Sequence, residues 1–198
     1  PRFIHTSGAN AHLTPNRLRP ADYAAAGARW LHIGGYFVLP GLLTPDLAPV
    51  LEAARGLRTS LDVVTSPAMA NPAPLWPLLP HLDAFFCNAH EGRRITGESE
   101  PEAITAALAA KGAATVLVKL GAAGCYVHSA DFRGVVPAPP APRVVDTTGA
   151  GDAFAAGYIA AALGGAFPKE AAAAGNRAGA QAVTALGAIA AFPPPSEK

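Results

Sequence analysis

An α/β fold is what this sequence predicts: a mostly parallel sheet covered by helices on both faces, with antiparallel strands closing one side. Three observations lead there. Short apolar, β-branched runs alternate with stretches of helical apolar spacing through most of the chain. Thr115–Leu120, the most β-branched run, turns at Gly121-Ala122-Ala123-Gly124 into Cys125–His128, a hairpin-like partner. At 198 residues the chain is long enough for one full core, so a single domain is expected over 1–198.

Residues Pro1 to Asn16 read as the end of a β segment and a loop, with a turn at Ser7-Gly8-Ala9-Asn10 and Thr14-Pro15 opening the next element. Arg19–Gly27 predicts a short helix, Trp30–Gly35 a buried strand ending in glycines, Leu47–Leu57 a helix and Ser60–Val64 a strand. Thr65–Pro80 is a polar, Pro-rich loop that contains Trp76 and a short helical turn. Asp83–Asn88 is the next strand, Glu91 starts a short helix, and Glu100–Lys111 makes another. Phe132–Val136 adds an edge strand; Ala138–Pro142 is a stiff connector. Two Ala-rich helices follow, Asp152–Leu163 and Lys169–Leu186. No internal repeat is present.

A net charge of +1 gives little electrostatic pull on nucleic acid, and no nucleic-acid partner is expected. Pro and Gly, 20 each, punctuate a periodic chain and do not mark a low-complexity one. Cys87 and Cys125 lie in apolar runs and read as buried free thiols; the histidines show no ligand spacing. With no signal peptide and no apolar run long enough to span a bilayer, a cytoplasmic location without membrane association is expected.

Most chemistry is concentrated in Val144–Gly157, where a strand gives way to a helix. Thr147 to Gly151 form a turn without bulky side chains, leaving backbone N–H groups at a helix N-terminus for an anion, phosphate above all. Asp152 sits at that mouth. A carboxylate there either caps the helix or faces a reacting group. No Gly-x-x-x-x-Gly-Lys-Ser/Thr loop occurs, and no Gly-x-Gly-x-x-Gly follows a first strand, which excludes a P-loop and disfavours a dinucleotide fold.

Asp146-Thr147-Thr148-Gly149-Ala150-Gly151-Asp152-Ala153-Phe154 resembles the C-terminal signature of the ribokinase-like, or PfkB, carbohydrate kinases. Asn88-Ala89-His90-Glu91 is similar to that family's Asn-x-x-Glu motif, and Val118 to Gly124 to its nucleotide-binding strand and turn, all in the family's order. The resemblance implies a ribokinase-like three-layer α/β/α sandwich and ATP-dependent phosphorylation of a sugar hydroxyl. Asp152 would be the general base, with the Gly149, Ala150 and Gly151 amides as anion hole. Asn88, Lys119, Gly121, Gly124 and Asn176 would contact ATP, and Glu91 would hold Mg2+ through water. Asp146 and Thr148 correspond to a monovalent cation site, K+, in some members, and Gly8 and Asn10 to the substrate side. On residues alone, Asn88 and Glu91 also suit a surface amide and a helix-start acid, Gly121 and Gly124 an ordinary hairpin turn, and Asn176 a solvated helix position. Many members carry Thr where this chain has Lys119.

The family's N-terminal strands, β lid and sugar-binding acid find no counterpart. The chain, which opens on Pro1, is therefore expected to be N-terminally incomplete, with 1–16 as the return from the lid and a homodimer formed through that missing lid. A small-molecule sugar is the expected substrate. The alternatives are a nucleoside kinase of the same family and a truncated nucleotide-binding module without turnover.

Overall fold

The computed structural model describes residues 8–65 and 71–192, so the first strand-like stretch and residues 66–70 of the Thr65–Pro80 loop lie outside the described residues. Six strands form one ribokinase-like, mostly parallel sheet in the order β1-β2-β3-β4-β5-β6, with antiparallel edge strands and helices on both sides. Two compact units divide between Val116 and Leu117.

In the first unit, α1 (Pro20–Ala25) precedes β1 (Trp30–Ile33), α2 (Leu47–Glu52) precedes β2 (Arg58–Asp62), and a 3-10 helix (Ala73–His81) precedes β3 (Ala84–Asn88). The three strands are parallel, with Leu31 opposite Thr59 and Leu61 opposite Phe85. β2 and β3 are buried nearly throughout, which explains their continuous apolar reading. β1 is only half-buried, and its polar side chains find partners on β2: Trp30 Nε1 donates to Ser60 Oγ (2.7 Å), and Ser60 Oγ lies 2.8 Å from His32 Nδ1. α2 stops at Glu52, short of the Leu57 suggested by periodicity: Ala54 N–H bonds Leu51 O in a tighter turn, and the chain then reverses at Gly56, φ +89°. Leu61, Leu75, Leu78, Leu79, Phe85 and Phe86 fill the core, joined by Ile104 and Leu108 of α4 (Pro101–Ala109). Gly8–Asn10 belong to a 3-10 helix (Gly8–His12), not a simple turn.

The chain enters the second unit through β4 (Val116–Lys119). β5 (Cys125–His128) and β6 (Arg133–Val136) pair antiparallel, with Tyr126 opposite Val135. Two long helices follow, α5 (Ala150–Leu163) and α6 (Pro168–Ala182). Their small residues let the backbones approach closely. A Cβ on Gly157 would lie 2.8 Å from the Ala178 methyl, and one on Gly175 would lie 2.8 Å from the Phe154 carbonyl oxygen. α6 ends at Ala182, short of the expected Leu186, for a tertiary reason. Val183 O, which a continuing helix would offer to Gly187, accepts instead from Val145 N–H at 2.7 Å, and Gly187 N–H is taken by Asp146.

Among the described residues no helix is long and apolar enough to cross a membrane. Cys87 and Cys125 are buried free thiols, as their apolar surroundings suggest.

Candidate active site

Asp146 organises the strand-to-helix turn of the second unit. Its Oδ1 accepts from Thr148 N–H and its Oδ2 from Gly187 N–H, both at 2.9 Å. These backbone donors, Thr148 first and Gly187 second, hold the carboxyl below its ordinary range. One side chain thus clamps the 146–149 turn to the 183–188 segment, with Arg143 Nε donating to Thr184 O (3.2 Å) beside it. Because the folded-state value is depressed, the clamp is stabilising above the ordinary Asp value and is lost as pH falls below about 4.

That clamp presents Gly149 as the N-cap of α5, left-handed at φ 76° and with no side chain capping the helix. A Cβ at Gly149 would fall 2.6 Å from the Ala188 methyl, so both conformation and space demand glycine. Ala150 N–H reaches back to Thr147 O at 3.3 Å, whereas no acceptor among the described residues takes the N–H of Gly149 or Gly151. These groups lie at the positive end of a fourteen-residue helix. The helix starts two residues earlier than the sequence pattern suggests. Asp152 therefore occupies its third position, exposed, and is not the N-cap.

The end of β4 approaches the same turn. The Lys119 ammonium lies so close to Gly151 that a Cβ there would be 3.1 Å from Nζ. The two glycines that follow behave differently. Gly121 is left-handed at φ 62° with open space where a side chain would be. Gly124, at φ 101°, has its missing side chain replaced by backbone: a Cβ would fall 2.1 Å from Val136 O and 2.6 Å from Ala138 N.

Asn176 is buried in the middle of α6 and is not a solvated helix residue. Its Nδ2 donates to Val136 O at 2.8 Å and to Pro137 O at 3.3 Å, tying the end of β6 to the helix. It also hydrogen-bonds the Cys125 thiol, whose pKa burial pushes up to about 12. Replacing Asn176 by Leu leaves those carbonyls unpaired and should lower stability by about 1–3 kcal/mol, read by urea unfolding.

In the first unit, Asn88 and Glu91 form a reciprocal capping box at the start of α3 (Ala89–Thr96). Glu91 N–H donates to Asn88 Oδ1 at 2.9 Å, and Asn88 N–H donates to Glu91 Oε2 at 2.8 Å. Glu91 is nevertheless buried, at 7% exposure, unusual for a purely structural cap. Sequence reasoning passed over Asp62, a second buried acid at the carboxyl end of β2, whose only signal was an acid closing an apolar strand. Gly8 and Asn10 are exposed. Two clefts among the described residues of this unit, of about 270 and 490 Å3, are lined by residues such as Leu43, Thr44, Pro74 and Val50 and by no motif residue.

Among the described residues no group of three or more His, Cys, Asp or Glu side chains forms a metal cage. Mg2+ needs none, since it keeps several waters and takes phosphate oxygens with one or two carboxylates, a donor set Glu91 fits.

Comparison with known proteins places this geometry in context. The sequence profile described as pfkB family carbohydrate kinase matches residues 2–195. The 2-dehydro-3-deoxygluconokinase of Bacillus subtilis is 41% identical over 186 residues, which cover 88% of this chain and 56% of that enzyme. The chain thus spans little more than half the length of that relative. Aminoimidazole riboside kinase from Salmonella enterica, solved with aminoimidazole riboside and an ATP analog, superposes with a TM-score of 0.73 at 27% identity, covering 91% of this chain and 63% of that one. Ribokinase from Thermotoga maritima gives a TM-score of 0.77 at 25% identity, covering 97% and 62%.

Proposed function

The chain belongs to the pfkB family of carbohydrate kinases, and we propose that it forms the phosphoryl-transfer portion of an ATP-dependent kinase acting on a sugar hydroxyl. The observation that supports this most is the second unit's turn: unclaimed Gly149 and Gly151 amides at the mouth of α5 with the exposed Asp152 carboxylate one step inside.

In this reading Asp152 accepts the proton of the acceptor hydroxyl as its oxygen bonds to the terminal phosphorus of ATP. The bond from that phosphorus to the bridging oxygen breaks, and ADP leaves. The amides of Gly149 and Gly151 donate to the phosphoryl oxygens as charge builds on them, with Ala150 completing the turn. In the first unit, Asn88 and Glu91 are the candidates the family resemblance gives for nucleotide and, through water, Mg2+, an ion that supplies charge neutralisation to ATP when bound. Gly121 offers backbone free of side chain for a nucleotide to lie on. Gly124 and Asn176 support that turn from behind, through Val136 and Pro137. Asp146 shapes the anion turn directly; a monovalent cation such as K+ would use its remaining lone pairs and Thr148. Gly8 and Asn10 are the substrate-side candidates.

Calorimetry with MgATP, followed by ADP release in the presence of sugars, sugar acids and ribosides, tests the reading. MgATP binding with ADP release on one acceptor class is expected. Binding without turnover on any of them would favour a nucleotide-holding module, and a riboside acceptor would favour the nucleoside-kinase alternative.

A further inference from the structure

Resting on the kinase reading, we infer that Ala188 is a positioning residue for phosphoryl transfer, its methyl group holding Gly149 in the conformation that presents the turn's amides. Gly149 is the weak point of that turn. It has no side chain, no side chain caps the helix it opens, and glycine adopts right- and left-handed backbone about equally well. Its carbonyl is held, because Ala153 N–H donates to it at 2.8 Å. Its amide is not, and the bond that closes the turn beside it, Ala150 N–H to Thr147 O, is long at 3.3 Å. The three atoms nearest to where a Gly149 Cβ would stand all belong to Ala188: the methyl carbon at 2.6 Å, the α-carbon at 2.8 Å and the carbonyl oxygen at 3.1 Å.

Burial does not explain that contact. Ala188 is exposed, and so are Leu186 and Ile189 around it, at 78% and 81%. A segment with its large apolar side chains in solvent is nevertheless fixed on both sides of Ala188, by Gly187 N–H donating to Asp146 at 2.9 Å and Gln181 Nε2 donating to Ala191 O at 2.8 Å. Asp146 also receives Thr148 N–H, so the residue before Gly149 and the residue before Ala188 share one anchor. Rotation of Gly149 about its N–Cα bond would swing its amide away from the mouth of α5. The donor lost is one that acts most strongly as charge builds on the transferring group. Ala188 itself touches neither nucleotide nor acceptor; it acts through Gly149.

The test is ADP release by the full-length protein, Ala188→Gly and Ala188→Ser, with MgATP and the acceptor class that turns over in the assay above, melting temperatures being recorded for each. Ala188→Gly should lower kcat about tenfold while the KM for MgATP and the melting temperature change little, the split expected when a donor to the transition state is misplaced. Ala188→Ser, which keeps the Cβ, should recover most of the rate. An unchanged kcat in Ala188→Gly, or a loss that follows a fallen melting temperature, overturns the positioning role and leaves the kinase reading standing. If the unsubstituted protein releases no ADP with any acceptor, the kinase reading fails, and this inference falls with it.

Discussion

Asp152→Asn should slow phosphoryl transfer by about 10²–10⁴-fold, the usual contribution of a positioned general base, while MgATP affinity changes little. Asn keeps the shape of the side chain and removes its ability to accept a proton. The helix does not depend on this carboxylate as a cap, because Gly149 holds the N-cap position and no side chain fills that role. What folding loses is the charge–dipole term of an acid in the first turn, about 0.3–1 kcal/mol. A near-constant melting temperature with a large loss in single-turnover rate is therefore the expected signature. A parallel loss of both would mean that Asp152 acts through the fold.

Gly124→Ala should be the most damaging single methyl in the second unit. The residue sits at φ 101° and ψ −130°, a conformation L side chains rarely adopt, and the added carbon would fall 2.1 Å from Val136 O. Backbone cannot swing aside as a side-chain tip can. Left-handed strain of about 1–2 kcal/mol and overpacking of about 1–3 kcal/mol together give a loss of about 3 kcal/mol. In a chain of this length that corresponds to a melting temperature lowered by roughly 6–12 °C, measurable by calorimetric scanning. Gly121→Ala, which meets only open space, carries the conformational strain alone and should cost about 1–2 kcal/mol. The two substitutions separate a glycine required by packing from one required by backbone conformation alone.

The alternation of strands and helices was legible because β2 and β3 are buried and read as continuous apolar runs, while the turns between elements are marked by glycine. The motif at Asp146–Phe154 was legible for a different reason: chemistry at a helix mouth requires small residues in a fixed order. What escaped the sequence was set by contacts distant along the chain. The end of α6 depends on Val145 and Asp146 claiming Val183 O and Gly187 N–H, some forty residues apart in sequence. Asn176 looks like any polar helix residue until Val136 and Pro137 are placed beside it. Gly124 reads as a turn glycine, although the strand opposite is what forbids a side chain. Lys119, the last residue of an apolar strand, gave no sign of lying against Gly151. Asn88 and Glu91 were legible as a spaced pair, and their capping box follows from that same three-residue interval.

The most direct measurement is formation of ADP and a phosphate monoester, followed together by 31P NMR, in the full-length protein supplied with MgATP and sugar acceptors, run beside Asp152→Asn. The account predicts equal amounts of the two products from the unsubstituted protein and almost none from the variant on the same timescale. Equal rates in the two proteins would contradict it.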